Sequence, residues 1–158
     1  MFINLQLGIA LPVRYNRSSE SVELTISSSK ERYTLRTFLL LGAINGFLSV
    51  ALGAFAAHGL KQKLDEYLLG VFQTGVTYQA THALALIAVA LLIKFFPGSS
   101  TLTWAGWCFF FGIVLFSGSL YALSLTNIKV LGAITPFGGV LFLVGWALLA
   151  IQAWKTAS

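Results

Sequence analysis

Charge is what this sequence has least of. Only 9% of its 158 residues are Asp, Glu, Lys or Arg. Ten basic and five acidic side chains cannot clothe a soluble domain of this size. Four apolar stretches, Leu35–Ala57, Val76–Phe96, Trp104–Leu125 and Leu131–Trp154, hold no Asp or Glu, no Arg after Arg36, and only Lys94 near the end of the second. Proton-coupled exchange usually needs a carboxylate inside the membrane, and that is missing. A single cysteine, Cys108, excludes an internal disulfide and a cysteine-rich metal site. The net charge of +5 does not form a basic stripe interleaved with stacking aromatics, so no nucleic-acid partner is expected.

What the chain does have is hydrocarbon. Each apolar stretch is about twenty residues long, enough for a helix rising 1.5 Å per residue to cross the ~30 Å membrane core. The expected fold is all-α, an integral membrane four-helix bundle over residues 35–157, with membrane lipid as its obligatory surroundings. Residues 1–34 differ. Met1–Val13 is apolar but too short to span, and it lacks the positive start of a secretory signal. Arg14–Thr34 is serine-rich with mixed charge and is expected to be a flexible, solvated extension, with weak alternation over Ser21–Ser27. Met1 is the only methionine, and Leu35 opens the first span. A leucine start codon there would make the extension a gene-start artefact, which the intact mass of natively expressed protein tests.

The connections are short. Asp65 or Glu66 begins a stretch with Tyr67, Leu68, Val71 and Phe72 at helical spacing, which either lies along the interface or lengthens span two. Pro97-Gly98-Ser99-Ser100 breaks spans two and three, with Thr103 placed to cap the third. Pro136 either kinks span four or follows Thr135 as a first helical residue. The bases near the membrane are Lys30, Arg32, Arg36, Lys94 and Lys155 on one side, against Lys61, Lys63 and Lys129 on the other. Five against three favours a cytoplasmic N-terminus. A start at Leu35 would level the count at three each.

Small residues supply the means of association. Gly42, Gly46, Ser49 and Gly53 form a smooth seam on span one, for packing within the chain or against a second copy. Gly106, Gly112 and Gly118 in span three, with Gly138, Gly139 and Gly145 in span four, point to further close approaches. Span two carries Tyr78, Gln79 and His82 on what the spacing reads as one face. His82 needs a partner, and Asn45, Ser117 and Ser119 are the polar candidates. It reads either as a hydrogen-bonded helix bracket or as a functional group. His58 ends span one. There is no His-x-x-x-His and no Glu near His inside a span, so no metal is expected. No Ser-His-Asp set, phosphate loop or usable carboxylate pair is visible, so neither an enzyme nor a cofactor is expected.

Four strings carry a likeness. Gly53-Ala54-Phe55-Ala56-Ala57-His58-Gly59-Leu60-Lys61, Tyr78-Gln79-Ala80-Thr81-His82-Ala83-Leu84-Ala85-Leu86, Phe116-Ser117-Gly118-Ser119-Leu120-Tyr121 and Ile134-Thr135-Pro136-Phe137-Gly138-Gly139 with Gly145-Trp146 occur in that order. Together they resemble the YgdD/YwdK-like family of small inner-membrane proteins of unknown function, over about residues 35–154. Ala56 stands where that family commonly has Gly. The resemblance implies a four-helix protein of the bacterial plasma membrane. It gives weight to His58 and Lys61 at one membrane surface, with Asn45, Tyr78, Gln79, His82, Ser117, Ser119 and Tyr121 as a buried polar cluster. The expected role is binding a membrane-protein partner or a second copy, or modulating a membrane complex. The alternative is an oligomeric pore lined by Asn45, Gln79, His82 and Ser119.

Overall fold

The computed structural model describes the backbone from Arg17 to Ala157 and side chains from Ser29 to Thr156. Four long helices follow in order: α1 (Arg17–Phe55), α2 (Glu66–Phe95), α3 (Ser100–Thr126) and α4 (Thr135–Ala157). A π-helical turn, Ala56–Leu60, continues α1, and a 3₁₀ turn, Lys129–Ala133, leads into α4. Four segments, Ser29–Leu60, Glu66–Phe95, Ser100–Thr126 and Lys129–Thr156, are long and apolar enough to cross a membrane. Each contains one of the four stretches read from the sequence, save that Phe96 falls one residue beyond the second.

The N-terminal expectation is corrected in part. Residues 17–34 are helical rather than irregular, and no strand forms over Ser21–Ser27. No Gly or Pro occurs between Arg17 and Leu41, so nothing interrupts the i→i−4 bonds that propagate backwards from the first span. Met1–Val13 lies outside the described residues.

The helix ends follow local chemistry. Asp65 caps α2 by accepting from the Leu68 amide at 2.8 Å, so the Tyr67–Phe72 stretch lengthens span two. Ser99, not Thr103, caps α3, accepting from the Leu102 amide at 3.3 Å. Thr103 instead donates its hydroxyl proton to the Ser99 carbonyl oxygen at 3.2 Å. Asn127 ends α3 in the left-handed region at φ 56°, a conformation Asn tolerates better than most residues. Pro136 falls in the first turn of α4, where its missing amide costs nothing. Thr135 starts the helix, but its hydroxyl pairs with Ser119 instead of closing an amide cap.

Sequential helices pack in order, α1 on α2, α2 on α3 and α3 on α4, while α1 barely meets α3. The inner pair, α2 and α3, is therefore the more deeply buried, with α1 and α4 flanking it. Phe38, Leu86, Val89, Leu102, Phe109 and Phe142 centre the main core. Ala56, Leu60 and Phe72 form a smaller one under the α1–α2 connection. Outward faces carry Phe47, Val50, Leu84, Phe137 and Leu143, all exposed and all apolar. Hydrocarbon, not water, is the solvent those faces match.

Glycine sets the closest approaches. A Cβ on Gly138 would strike the Phe116 backbone, and one on Gly145 would come within 2.5 Å of the Phe109 ring. Gly42 would meet Ile87 at 2.7 Å and Gly106 the Phe38 ring at 2.5 Å. Gly53 has an ordinary contact with Val76 at 3.4 Å. Gly46 and Gly118 have nothing within 4 Å, and Gly139 only the Phe116 ring at 3.7 Å. The seam on α1 thus faces α2 through Gly42 and Gly53, Ser49 is buried with its hydroxyl on the Gly46 carbonyl oxygen, and Gly46 itself does not take part. Gly118 likewise makes no close helix contact.

Candidate functional site

Most of the buried polar side chains gather in two clusters on adjacent flanks of α2. On the α1–α3 side, Tyr121 donates its hydroxyl proton to Gln79 Oε1 at 2.7 Å. Gln79 Nε2 donates to Asn45 Oδ1 at 3.0 Å, and Asn45 Nδ2 donates to the Leu41 carbonyl oxygen at 2.8 Å. Every bond in this chain points the same way, from α3 through α2 to α1. An apolar bundle thereby gains a short polar clamp across three helices. Ser117 lies four residues before Tyr121 and is fully buried; its Oγ makes no hydrogen bond.

His82 anchors the second cluster, on the α4 side. Its Nδ1 lies 2.8 Å from the Tyr78 carbonyl oxygen, and Trp146 Nε1 lies 3.2 Å from its Nε2. A carbonyl only accepts and an indole N–H only donates. Nδ1 therefore carries the proton and Nε2 the lone pair, so both ring nitrogens are satisfied by a neutral imidazole. The Phe142 ring stacks on it at 3.4 Å between centroids, within 9° of parallel. Tyr78 stacks in turn on Phe116 at 4.3 Å. Ser119 Oγ donates to the Phe116 carbonyl oxygen at 2.9 Å and pairs with Thr135 Oγ1 at 2.8 Å.

Several expectations change here. Tyr78, Gln79 and His82 do not act on one face, because Gln79 turns towards α1 and α3 while His82 turns towards α4. Asn45, Ser117 and Ser119 are not the partners of His82; Trp146 and a backbone carbonyl are. An indole is mostly apolar, so its role as a donor was not legible from composition. The Gly145-Trp146 pair, with the glycine admitting Phe109, was the available signal. The four residues expected to line one path separate, Asn45 and Gln79 in one cluster, His82 and Ser119 in the other.

His58 and Lys61 are exposed and stand apart from both clusters. His58 lies in the π-helical turn, and Lys61 follows it. A Cβ on Gly59 would fall 2.7 Å from the ring of Phe55, which is exposed and would have to turn aside. No residue pattern announces this widened turn. Among the described residues, no three His, Cys, Asp or Glu side chains gather in a way that could hold a metal ion. At the far end of the bundle Ser99 Oγ donates to Gln152 Oε1 at 2.7 Å, a third polar tie that joins the cap of α3 to α4.

Four apolar helices, an inner pair flanked by two outer ones and two internal polar clamps define an all-α, four-span membrane protein. Residues 52–139 match the family described as "Protein of unknown function (DUF423)", and the chain belongs to that family. Relatives include membrane proteins of bacteria. It is 52% identical to the UPF0382 membrane protein YwdK of Bacillus subtilis over 121 residues, 77% of this chain and 98% of the relative. A UPF0382 membrane protein of Staphylococcus saprophyticus is 49% identical over 77% of this chain and 99% of its own. One from Staphylococcus aureus strain USA300 is also 49% identical, covering 78% and 99%. No solved structure matches the chain.

Proposed function

We propose that this protein is an interaction partner within the bacterial plasma membrane, binding a transmembrane helix of another protein or of a second copy along the free edge of α1. Both termini then lie on the cytoplasmic side, in keeping with the excess of bases there. One observation carries the reading. Gly46 meets no atom within 4 Å of where a side chain would begin, and Ala43 and Val50, three and four residues away, are exposed beside it. In lipid, association rests on close van der Waals packing, and small residues left unused by the fold offer it. The alternative of a conducting path lacks comparable support. Its proposed lining is split between two clusters whose bonded groups satisfy one another.

A photo-crosslinking residue at Val50 in intact cells tests the proposal. A single protein adduct is expected, a membrane protein or a second copy, and Gly46→Leu should abolish it. Adducts to lipid alone would refute the reading.

A further inference from the structure

We propose that the groove between α2 and α4 seats one acyl chain of an anionic phospholipid, drawn from the leaflet on whose side Lys129 lies. The groove has a volume of about 450 Å³ and runs between Tyr78 and His82 of α2, Phe116 of α3, and Pro136, Gly139 and Trp146 of α4. It exists because α4 packs its backbone on α3 and reaches α2 only through large side chains, His82 against Phe142 and Trp146. Gly139 adds no side chain, and its neighbourhood stays open.

Three features choose the occupant. The groove lies along membrane-spanning segments, so it opens onto the bilayer. Pro136 to Trp146 covers about 15 Å at 1.5 Å per residue, half of a ~30 Å hydrocarbon core and so one leaflet deep. Both nitrogens of His82, the most polar group lining it, are already engaged by Tyr78 and Trp146. Apart from the Tyr78 hydroxyl, that leaves a surface suited to hydrocarbon and poor for a polar solute. Charge then selects the headgroup. Lys129 is exposed in the connection that enters α4, seven residues before Pro136 at that end of the groove, and with Lys61, Lys63, Asp65 and Glu66 at the α1–α2 connection it leaves this side of the membrane with a net charge of +1. A cation at that level complements a phosphodiester without a compensating ammonium.

The full chain, reconstituted with equal phosphatidylglycerol and phosphatidylcholine and extracted in mild detergent, is examined by native mass spectrometry. One retained phospholipid per chain is expected, with phosphatidylglycerol favoured at least threefold. Gly139→Leu should lower retention at least threefold, and Lys129→Gln should keep the lipid but erase the preference. Unchanged retention in Gly139→Leu, or no headgroup preference in the parent, would overturn the proposal. A second measurement does not depend on how that variant folds. With Trp104→Phe, Trp107→Phe and Trp154→Phe in place, acyl-brominated phosphatidylglycerol should quench Trp146 at least twofold more than brominated phosphatidylcholine at equal mole fraction. Equal quenching by the two lipids counts against a seated anionic lipid.

Discussion

Trp146 donates its indole proton to His82 across 3.2 Å, a side-chain hydrogen bond that ties α4 to α2. The imidazole is held by its neighbours on both nitrogens. That geometry suits a bracket between helices, and a conservative change on either side should be felt by the other.

Removing the pair therefore gives non-additive costs. Trp146→Phe and His82→Phe should each destabilise the bundle, and the double variant should cost less than their sum. Hydrogen bonds between membrane helices average ~0.6 kcal/mol in such cycles and reach ~1.7. Unfolding in mixed detergent micelles, read by helical circular dichroism, measures the coupling. A coupling of zero would show that the two side chains do not interact.

The three-helix clamp behaves differently because Gln79 is its middle link. Gln79→Leu leaves both the Tyr121 hydroxyl and the Asn45 amide oxygen without their partner, while Tyr121→Phe leaves only Gln79 Oε1 short of one. Buried groups left unpaired cost ~1–3 kcal/mol each in proteins generally. Gln79→Leu should thus be the more damaging of the two in the same unfolding measurement. The reverse order would place the clamp's weight elsewhere.

Glycine positions separate fold from surface. Gly138→Ala forces a methyl against the Phe116 backbone and should cost ~1–3 kcal/mol as overpacking. Gly46→Ala meets open space and should stay within ~0.5 kcal/mol of the parent, or gain slightly from helix propensity. Thermal midpoints in mild detergent distinguish the two. Equal losses at both sites would contradict the helix spacing described above.

Four crossings place each connection on a fixed side. In a background where Cys108 is replaced by Ala, a membrane-impermeant thiol reagent should label His58→Cys and Lys129→Cys from one side, and Lys94→Cys and Lys155→Cys from the other. With both termini cytoplasmic, intact cells stripped of outer barriers should expose only the first pair. Labelling of Lys94→Cys from outside would invert the orientation, and a mixed pattern would change the number of spans.

Much of this architecture was readable in the chain. Runs such as Trp104–Leu125 have no charge to interrupt them, and backbone satisfaction in lipid leaves such a run helical. The caps were half legible. Asp65 or Glu66 is expected to open the second helix and Asp65 caps it, whereas Thr103 is expected to cap the third and Ser99 does so, because helical pairing begins at Ser100. The continuation of α1 back to Arg17 was missed because serine and charge suggested solvation, although the stretch contains no helix breaker.

The sites were less legible. Tyr78, Gln79 and His82 are close enough in sequence to suggest one face, but the ~60° between Gln79 and His82 is enough for them to meet different helices. Which flank meets which helix depends on the rotation of α2 between its neighbours. Likewise, Gly42 and Gly46 look equivalent as one-turn neighbours, yet only Gly42 lies against Ile87. Nothing local distinguishes them.

By itself the sequence determined that the chain crosses a membrane four times as helices, since hydrocarbon tolerates no unpaired backbone and these runs hold too little charge for anything else. It also marked the break at Pro97–Ser100 between the second and third helices. The tertiary structure alone decided that Trp146 partners His82, that Gln79 links Tyr121 to Asn45, and which glycines touch another helix. Those are contacts between segments far apart in the chain, fixed by the rotation and depth of each helix, and no short stretch of residues encodes either quantity.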